Sequence, residues 1–403
     1  MSIRHQPLRY LGLAAVAGIL VLLLAACQAA PTPTATQPPA PTTMPQPAPP
    51  APAATTANAA STPTPKQDLG TVQNPLTSAP PPGLQVVVQN LETVWEIAFA
   101  PDGRMFFTER AGRIQMWDGS RLQLLITLPV EQVSESGLMG LALDPAFPAQ
   151  PFVYTCYTYR SPTQAMLNRV ERLRLEGASL TRDRILLDNM KGAMIHDGCR
   201  VRFAPDGKLL VTMGETGQAP LAQDLGALNG KVFRINSDGT VPADNPFAPT
   251  PAFTLGHRNP QGLDFRPGTG QAYISEHGPD TDDEINRLIA GRNYGWPTVR
   301  GKAGAPQFEP ALWTWTPTIA PAGIAFTSDT TLFMATLKEQ RLHRLTLSAD
   351  GLIIADDNTA LIGRGRLRAL AKGADGCLYV GTSNRDGRGT PQPGDDKILR
   401  LCQ

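Results

Sequence analysis

Trp95–Arg110 reads WEIAFAPDGRMFFTER and Cys199–Glu215 reads CRVRFAPDGKLLVTMGE: each is an apolar run turned back on itself at the same Ala-Pro-Asp-Gly corner. Proline presets the first turn dihedral, and glycine accepts the positive φ that completes the reversal. The flanking runs, alternating and rich in β-branched and aromatic residues, therefore read as the paired strands of a hairpin.

The same theme recurs as GLMGLALDPAFPAQPFVYTCYT, QGLDFRPGTGQAYISEH, AGIAFTSDTTLFMATLK and RALAKGADGCLYVGTSN, making six repeats in all. Their turns, near Pro101, Pro145, Pro205, Pro267, Ser328 and Ala374, are spaced by roughly 45 to 60 residues, within the range of propeller blades. A further strand follows each hairpin, visible as GRIQMWD, NRVERLRL, GKVFRINSDG, DEINRLI, QRLHRLTL and DKILRLC, and no helical pattern of comparable length competes. The expected fold is all-β: a six-bladed β-propeller over residues 69–403. In such a ring the loops that leave the inner strands converge on a central mouth, so residues far apart in sequence meet there.

The amino-terminal sequence has a different character. Arg4 and Arg9 precede an apolar run from Leu11 to Leu24 and the small residues Ala25 and Ala26, the order of an export signal over residues 1–27. The run is too short to favour a membrane-spanning helix, and a short signal anchor is the alternative. The junction LAAC resembles a bacterial lipobox, which implies lipidation at Cys27. Residues 28–68 are Pro, Ala and Thr with almost nothing large and apolar, a composition that stays disordered and extended. The expected arrangement is a lipid-anchored, exported propeller on a tether, at the extracytoplasmic face of a bacterial membrane. With 36 basic and 35 acidic residues among 403, the chain has no charge excess that would point to nucleic acid.

The polar residues just after each inner strand are the candidates for chemistry. In chain order they are Glu135, His196 with Asp197, Glu215, Arg258 and Asn259 in GHRNPQGL, the acidic loop SEHGPDTDDEIN, Lys338, and Arg366 and Arg368 in RGRLR. One candidate base among several cations suits an anionic ligand and a proton transfer.

These motifs, with HDGCRVRFAPDGKLLVTMGETG, NGKVFRINSDGTVPADNPF, EHGPDTDDEIN, NYGWP, IAPAGIAF and TSNRDGRG, run in order over nearly the whole folded region. Together they resemble the soluble aldose or glucose/sorbosone dehydrogenases, six-bladed propellers that use pyrroloquinoline quinone (PQQ) and calcium. The resemblance implies that His196 takes the proton of an aldose's anomeric hydroxyl as hydride leaves for PQQ, giving a lactone. Imidazole suits the task because its ordinary titration lies near neutrality. Glu215, where the family usually carries Asp, would orient His196. Arg258 would stabilise charge on the reduced quinone, Asn259, Lys338, Arg366 and Arg368 would hold the cofactor, and Glu135 would contact a sugar hydroxyl. The carbonyls of Gly278 and Pro279 would bind the catalytic calcium, with Asp283, Glu284 and Tyr294 holding a second, structural one; calcium takes hard oxygen ligands of these kinds.

His257 and His277 are rivals to His196 near the mouth, and a calcium-dependent lactonase or a non-catalytic sugar-binding propeller are the competing functional classes. With no haem-attachment motif, the electron acceptor is expected to be a separate carrier. Cys377 and Cys402 are placed so that antiparallel pairing could join them; Cys156 and Cys199 are either a compensating pair or free thiols.

Overall fold

The computed structural model describes residues 83–402, and the expected signal, lipobox and tether lie outside the described residues. The described chain forms 24 strands in six four-stranded antiparallel sheets. Their inner strands, Val94–Phe99, Leu138–Leu143, Gly198–Phe203, Pro260–Phe265, Pro321–Ser328 and Leu367–Lys372, stand side by side and close a ring. The fold is the six-bladed propeller expected from the repeats, and each quoted hairpin supplies the inner and second strands of one blade.

Five blades run outward in chain order. The sixth takes its outer strand from the other end of the described chain: Leu84–Val88 pairs with Ile398–Leu401, and Leu84 lies opposite Leu401. Apolar side chains fill the gap between each pair of neighbouring blades. Phe106, Leu138, Leu141 and Tyr157 pack between blades 1 and 2, and Phe333, Leu367, Leu370 and Val380 between blades 5 and 6. Both faces of these strands are therefore covered, which explains near-continuous apolar runs such as Met105–Glu109, buried at every position.

The inner strands are bulged. Register shifts fall between Val94 and Glu96, Gly198 and Val201, and Pro260 and Gly262. A bulge leaves backbone groups off the ladder, and hydroxyls of the second strand reclaim them. Thr108 Oγ1 accepts the Glu96 N–H at 3.1 Å and donates to Met139 O of the next blade at 2.7 Å. Thr212 Oγ1 repeats the arrangement between Arg200 N and Pro260 O. The blades come close enough that a Cβ on Gly262 would lie 2.4 Å from Ala322 O.

At the bulges, side chains of the inner strands meet around the ring's centre. Arg200, 2% exposed, donates to Glu96 Oε2 at 2.5 Å and to the Gln261 carbonyl at 2.8 Å, and its guanidinium lies 4.1 Å from the centre of the Trp95 ring. Blades 1, 3 and 4 are thus joined by one buried cation.

Both cysteine pairings form. Cys156–Cys199 joins the second strand of blade 2 to the inner strand of blade 3, and Cys377–Cys402 closes the last blade over a separation of 25 residues. In the chain-entropy account the second closure stabilises the fold by about 3 kcal/mol.

Breaking a buried ion pair strands a charge, whereas removing both partners does not. Arg200→Met should lower stability by roughly 3–5 kcal/mol, seen as an earlier denaturant midpoint. The double variant Glu96→Leu/Arg200→Met should recover most of that loss, and an equal deficit in both would deny the pair its role.

Candidate active site

His196 precedes the inner strand of blade 3 and has φ of +60°, an uncommon conformation for a non-glycine residue. Several contacts hold it there. Its N–H donates to Glu135 Oε2 at 3.0 Å, its carbonyl accepts the Thr216 N–H at 3.2 Å, and a Cβ on Gly214 would lie 2.0 Å from that carbonyl. Three residues on, Cys199 carries the disulfide to blade 2. His196 Nδ1 lies 2.7 Å from Glu215 Oε1, so the longer carboxylate does reach the ring. A carboxylate accepts there, which places the ring proton on Nδ1 and leaves Nε2 as the free base. Glu215 Oε2 is buried with no hydrogen-bond partner among the described residues.

The rival histidines are differently engaged. His257 is fully buried between Thr254 and Glu276. His277 Nε2 lies 2.8 Å from the Pro321 carbonyl, and burial pushes its pKa down to about 3. Among the described histidines, only His196 combines a carboxylate on one ring nitrogen with an open second nitrogen.

Glu135 joins the groups around the mouth. Besides the His196 N–H, it accepts from Arg388 Nη1 at 2.8 Å and lies 3.5 Å from Asn259 Nδ2. Burial opposes its charge, but the His196 N–H and Arg388 outweigh burial and hold its carboxyl well below the ordinary range. Arg258 donates to the carbonyls of His277 at 3.1 Å and Gly278 at 2.8 Å and lies over Trp296, while its buried Nε has no partner among the described residues.

The expected cations come together on the far side. Arg366, 7% exposed, and Arg368, 5% exposed, flank the same carboxylate: Arg366 Nε donates to Asp386 Oδ2 at 2.7 Å, and Arg368 Nη2 lies 3.7 Å from it. Arg366 also donates to the Leu337 carbonyl, placing it beside Lys338, whose ammonium donates to Thr318 Oγ1 at 2.8 Å. Arg110 adds a buried guanidinium that donates to the Asp386 carbonyl and leaves Nε unpartnered among the described residues. Asp386, Arg110, Thr318, Trp296 and Arg388 were absent from the sequence-derived candidates. TSNRDGRG pointed at Asp386 and Arg388, but an aspartate in a turn does not announce which arginines it will meet.

In the acidic loop, Asp283 accepts three backbone N–H groups, from Gly278 at 2.7 Å, Ile319 at 2.6 Å and Ala320 at 2.7 Å. It ties the Gly278-Pro279 turn to the strand of blade 5. Glu284 accepts from Gly301 N and Asn286 Nδ2, and the Tyr294 hydroxyl donates to the Arg287 carbonyl. A small cavity is lined by Glu276, Gly278, Pro279, Asp282, Glu284 and Tyr294. Burial, with the charges of Glu276 and Asp282, pushes Glu284 up to about 7.

His196 backed by the Glu215 carboxylate, and Arg366 and Arg368 converging on Asp386, supply groups able to take up a proton and to hold an anion. Residues 91–399 match the Glucose / Sorbosone dehydrogenase family, and the chain belongs to it. It is similar to the aldose sugar dehydrogenase YliI of Escherichia coli, with 29% identity over 75% of this chain and 91% of that protein. Quinoprotein glucose dehydrogenase B of Acinetobacter calcoaceticus is 32% identical over 54% of this chain and 52% of its own length. The solved PQQ-bound form of an aldose sugar dehydrogenase from Streptomyces coelicolor superposes with a TM-score of 0.74, at 34% identity, covering 80% of this chain and 99% of that one.

Asp197, next to the base, is 1% exposed; its Oδ1 accepts from Asn168 and the Ala193 N–H, and Oδ2 has no partner among the described residues. Burial pushes its carboxyl from 3.8 up to about 7. A raised acid holds its proton more tightly when folded, so stability is lost as pH rises from 3.8 through about 7. Asp197→Asn removes that ionisation. Its stability relative to wild type should improve from pH 5 to about pH 7 and then level off in thermal melts, and a gap constant with pH below 7 would contradict the assignment.

Proposed function

We propose that this protein is a PQQ- and calcium-dependent dehydrogenase that oxidises an aldose at its anomeric carbon to a lactone and passes the electrons to an external acceptor. The reading rests above all on the His196–Glu215 pair, whose backbone is held by Glu135, the carboxylate that also takes Arg388.

The side chains suit both groups. PQQ carries three carboxylates, and Arg366, Arg368, Lys338, Arg258 and the Asn259 amide are donors without the acceptors needed to satisfy them all: the buried Nε atoms of Arg258 and Arg110 have no partner among the described residues. Burial and the neighbouring charges of Glu276 and Asp282 raise the proton affinity of Glu284 at the cavity beside Gly278 and Pro279, a cost that a divalent cation would relieve. Gly278 and Pro279 would offer carbonyls to a calcium shared with the cofactor, and Glu284, Asp283 and Tyr294 would belong to a second ion.

When bound, PQQ supplies a two-electron acceptor for the hydrogen of the anomeric carbon. The chain's own residues do the rest. His196 Nε2 takes the anomeric hydroxyl proton, and Glu215 steadies the imidazolium that forms. Glu135 holds the His196 backbone and presents its remaining lone pairs to a sugar hydroxyl. Arg258, pinned by two carbonyls and the Trp296 ring, keeps positive charge where negative charge develops. The amino-terminal reading is part of the same proposal: a lipid on Cys27 would hold the enzyme at the outer face of a membrane, within reach of extracytoplasmic sugars.

Apoprotein given PQQ and calcium should reduce a dye in the presence of an aldose, and a chelator should abolish this until calcium returns. His196→Gln should bind PQQ as wild type does yet lose at least about a hundred-fold in kcat, within the range of general-base catalysis. Undiminished turnover would remove His196 from the mechanism. Separately, Cys27→Ser should shift the protein from the membrane to the soluble fraction with unchanged specific activity; retention on the membrane would dismiss the lipid anchor.

A further inference from the structure

Gln261 is the second residue of blade 4's inner strand, 4% exposed, and its side chain touches two of the cofactor-holding candidates at once. Arg368 Nη1 donates to Gln261 Oε1 at 3.1 Å, and Gln261 Nε2 donates to Asn259 Oδ1 at 3.1 Å. The direction of this chain is forced from one end. A guanidinium has donors and no acceptor, so the atom that meets Arg368 must be the amide oxygen of Gln261. The Gln261 NH₂ then faces Asn259, which must answer with its oxygen. Asn259 is left with its own NH₂ directed the other way, 3.5 Å from Glu135 Oε2.

Neither end is free to adjust. Arg368 is also held by Ser383 Oγ at 3.1 Å and by the charge of Asp386, and the Asn259 backbone carbonyl accepts the His277 N–H at 3.1 Å. The 180° flip of the Asn259 amide is the remaining freedom, and Gln261, at 3.1 Å on the oxygen side, opposes it more closely than Glu135, at 3.5 Å on the nitrogen side.

We propose that Gln261 is a positioning residue that sets the polarity of the site: it compels Asn259 to offer hydrogen-bond donors, and so selects a ligand atom that accepts, such as a quinone or carboxylate oxygen of PQQ. The proposal rests on the cofactor reading above. Glutamate at 261 would reverse the polarity while keeping the shape. Its carboxylate accepts from Arg368 and, having no donor, also accepts from a flipped Asn259, which then turns its carbonyl on the cofactor.

The test compares wild type, Gln261→Glu, Gln261→Met and Asn259→Asp by titrating PQQ with calcium into apoprotein and by thermal melts of the same samples. Gln261→Glu keeps both contacts at position 261 but sets the flipped Asn259 carbonyl against Glu135, so it should melt below wild type and above Gln261→Met, and bind PQQ roughly ten- to a hundred-fold more weakly than wild type, the loss expected when a donor is replaced by an opposed acceptor. Asn259→Asp, altered at the other end of the chain, should show a loss of similar size. Gln261→Met, which frees the amide without reversing it, should melt lower than Gln261→Glu yet bind PQQ more tightly. Wild-type affinity in Gln261→Glu, or affinities that merely follow melting temperature across the series, would overturn the proposal. Neutron diffraction on wild-type and Gln261→Glu apoprotein reads the Asn259 amide directly: an unflipped amide in the variant also overturns it. If wild type takes up no PQQ, the cofactor reading falls, and the neutron comparison still decides whether Gln261 controls Asn259.

Discussion

A single buried cation organises the centre of this propeller. Arg200 has its guanidinium on Glu96, on the backbone of Gln261 and against Trp95, so three blades share one charge in a place that water does not reach. An ion pair so deep gains little net stability over an apolar replacement. What it does is restrict geometry: the two side chains accept each other in few arrangements, and the inner strands that carry them inherit that restriction. The Gln261 backbone held by Arg200 belongs to the residue whose side chain contacts Asn259 and Arg368. The floor of the site is therefore built on the fold's central ion pair.

Above that floor the charge balance is deliberately uneven. Arg366 and Arg368 share Asp386, and Arg110 reaches only the carbonyl of that residue. Burial, with the like charges of Arg110 and Arg366, pushes Arg368 down to about 9 against the pull of Asp386 and Glu135. Such a cluster is costly to keep empty and ready for an anion, because its donors already point inward and need no rearrangement. On the other side, Glu276, Glu284 and Asp282 crowd around the small cavity by the Gly278-Pro279 turn. Arg258 and Arg300 line that cavity with them, Arg300 lying 3.4 Å from Asp282.

Much of this was legible in the sequence because blades repeat. The Pro-Asp-Gly corners located the hairpins, but the candidates expected after the inner strands stand elsewhere: Glu135, His196 and Asn259 precede those strands and Glu215 follows a second strand, and with Arg368 they meet through direct contacts or one intervening side chain. The outer strand of the sixth blade was not legible, since Leu84–Val88 is one unremarkable apolar segment whose partner lies at the far end of the chain. Asp386 and Gln261 stood in quoted motifs without a role, because what each does depends on partners from other blades. Tyr294 was chosen for oxygen chemistry, and its hydroxyl is engaged with the backbone of Ile289 and Arg287. Local pattern identifies a strand or a turn; it does not say which side chains a closed ring will bring face to face.

The shared sixth blade has a consequence for biosynthesis. Leu84 emerges from the ribosome long before Leu401, its partner, exists, and pairing so distant in sequence carries a large closure entropy until the intervening blades have shortened the path. Arg366, Arg368 and Asp386 arrive on that same last blade. A nascent chain holding blades 1 to 5 thus has its base and its acidic loop but no enclosed anion cradle. The proposed cofactor site is complete only when Ile398–Leu401 has been added and the ring has shut.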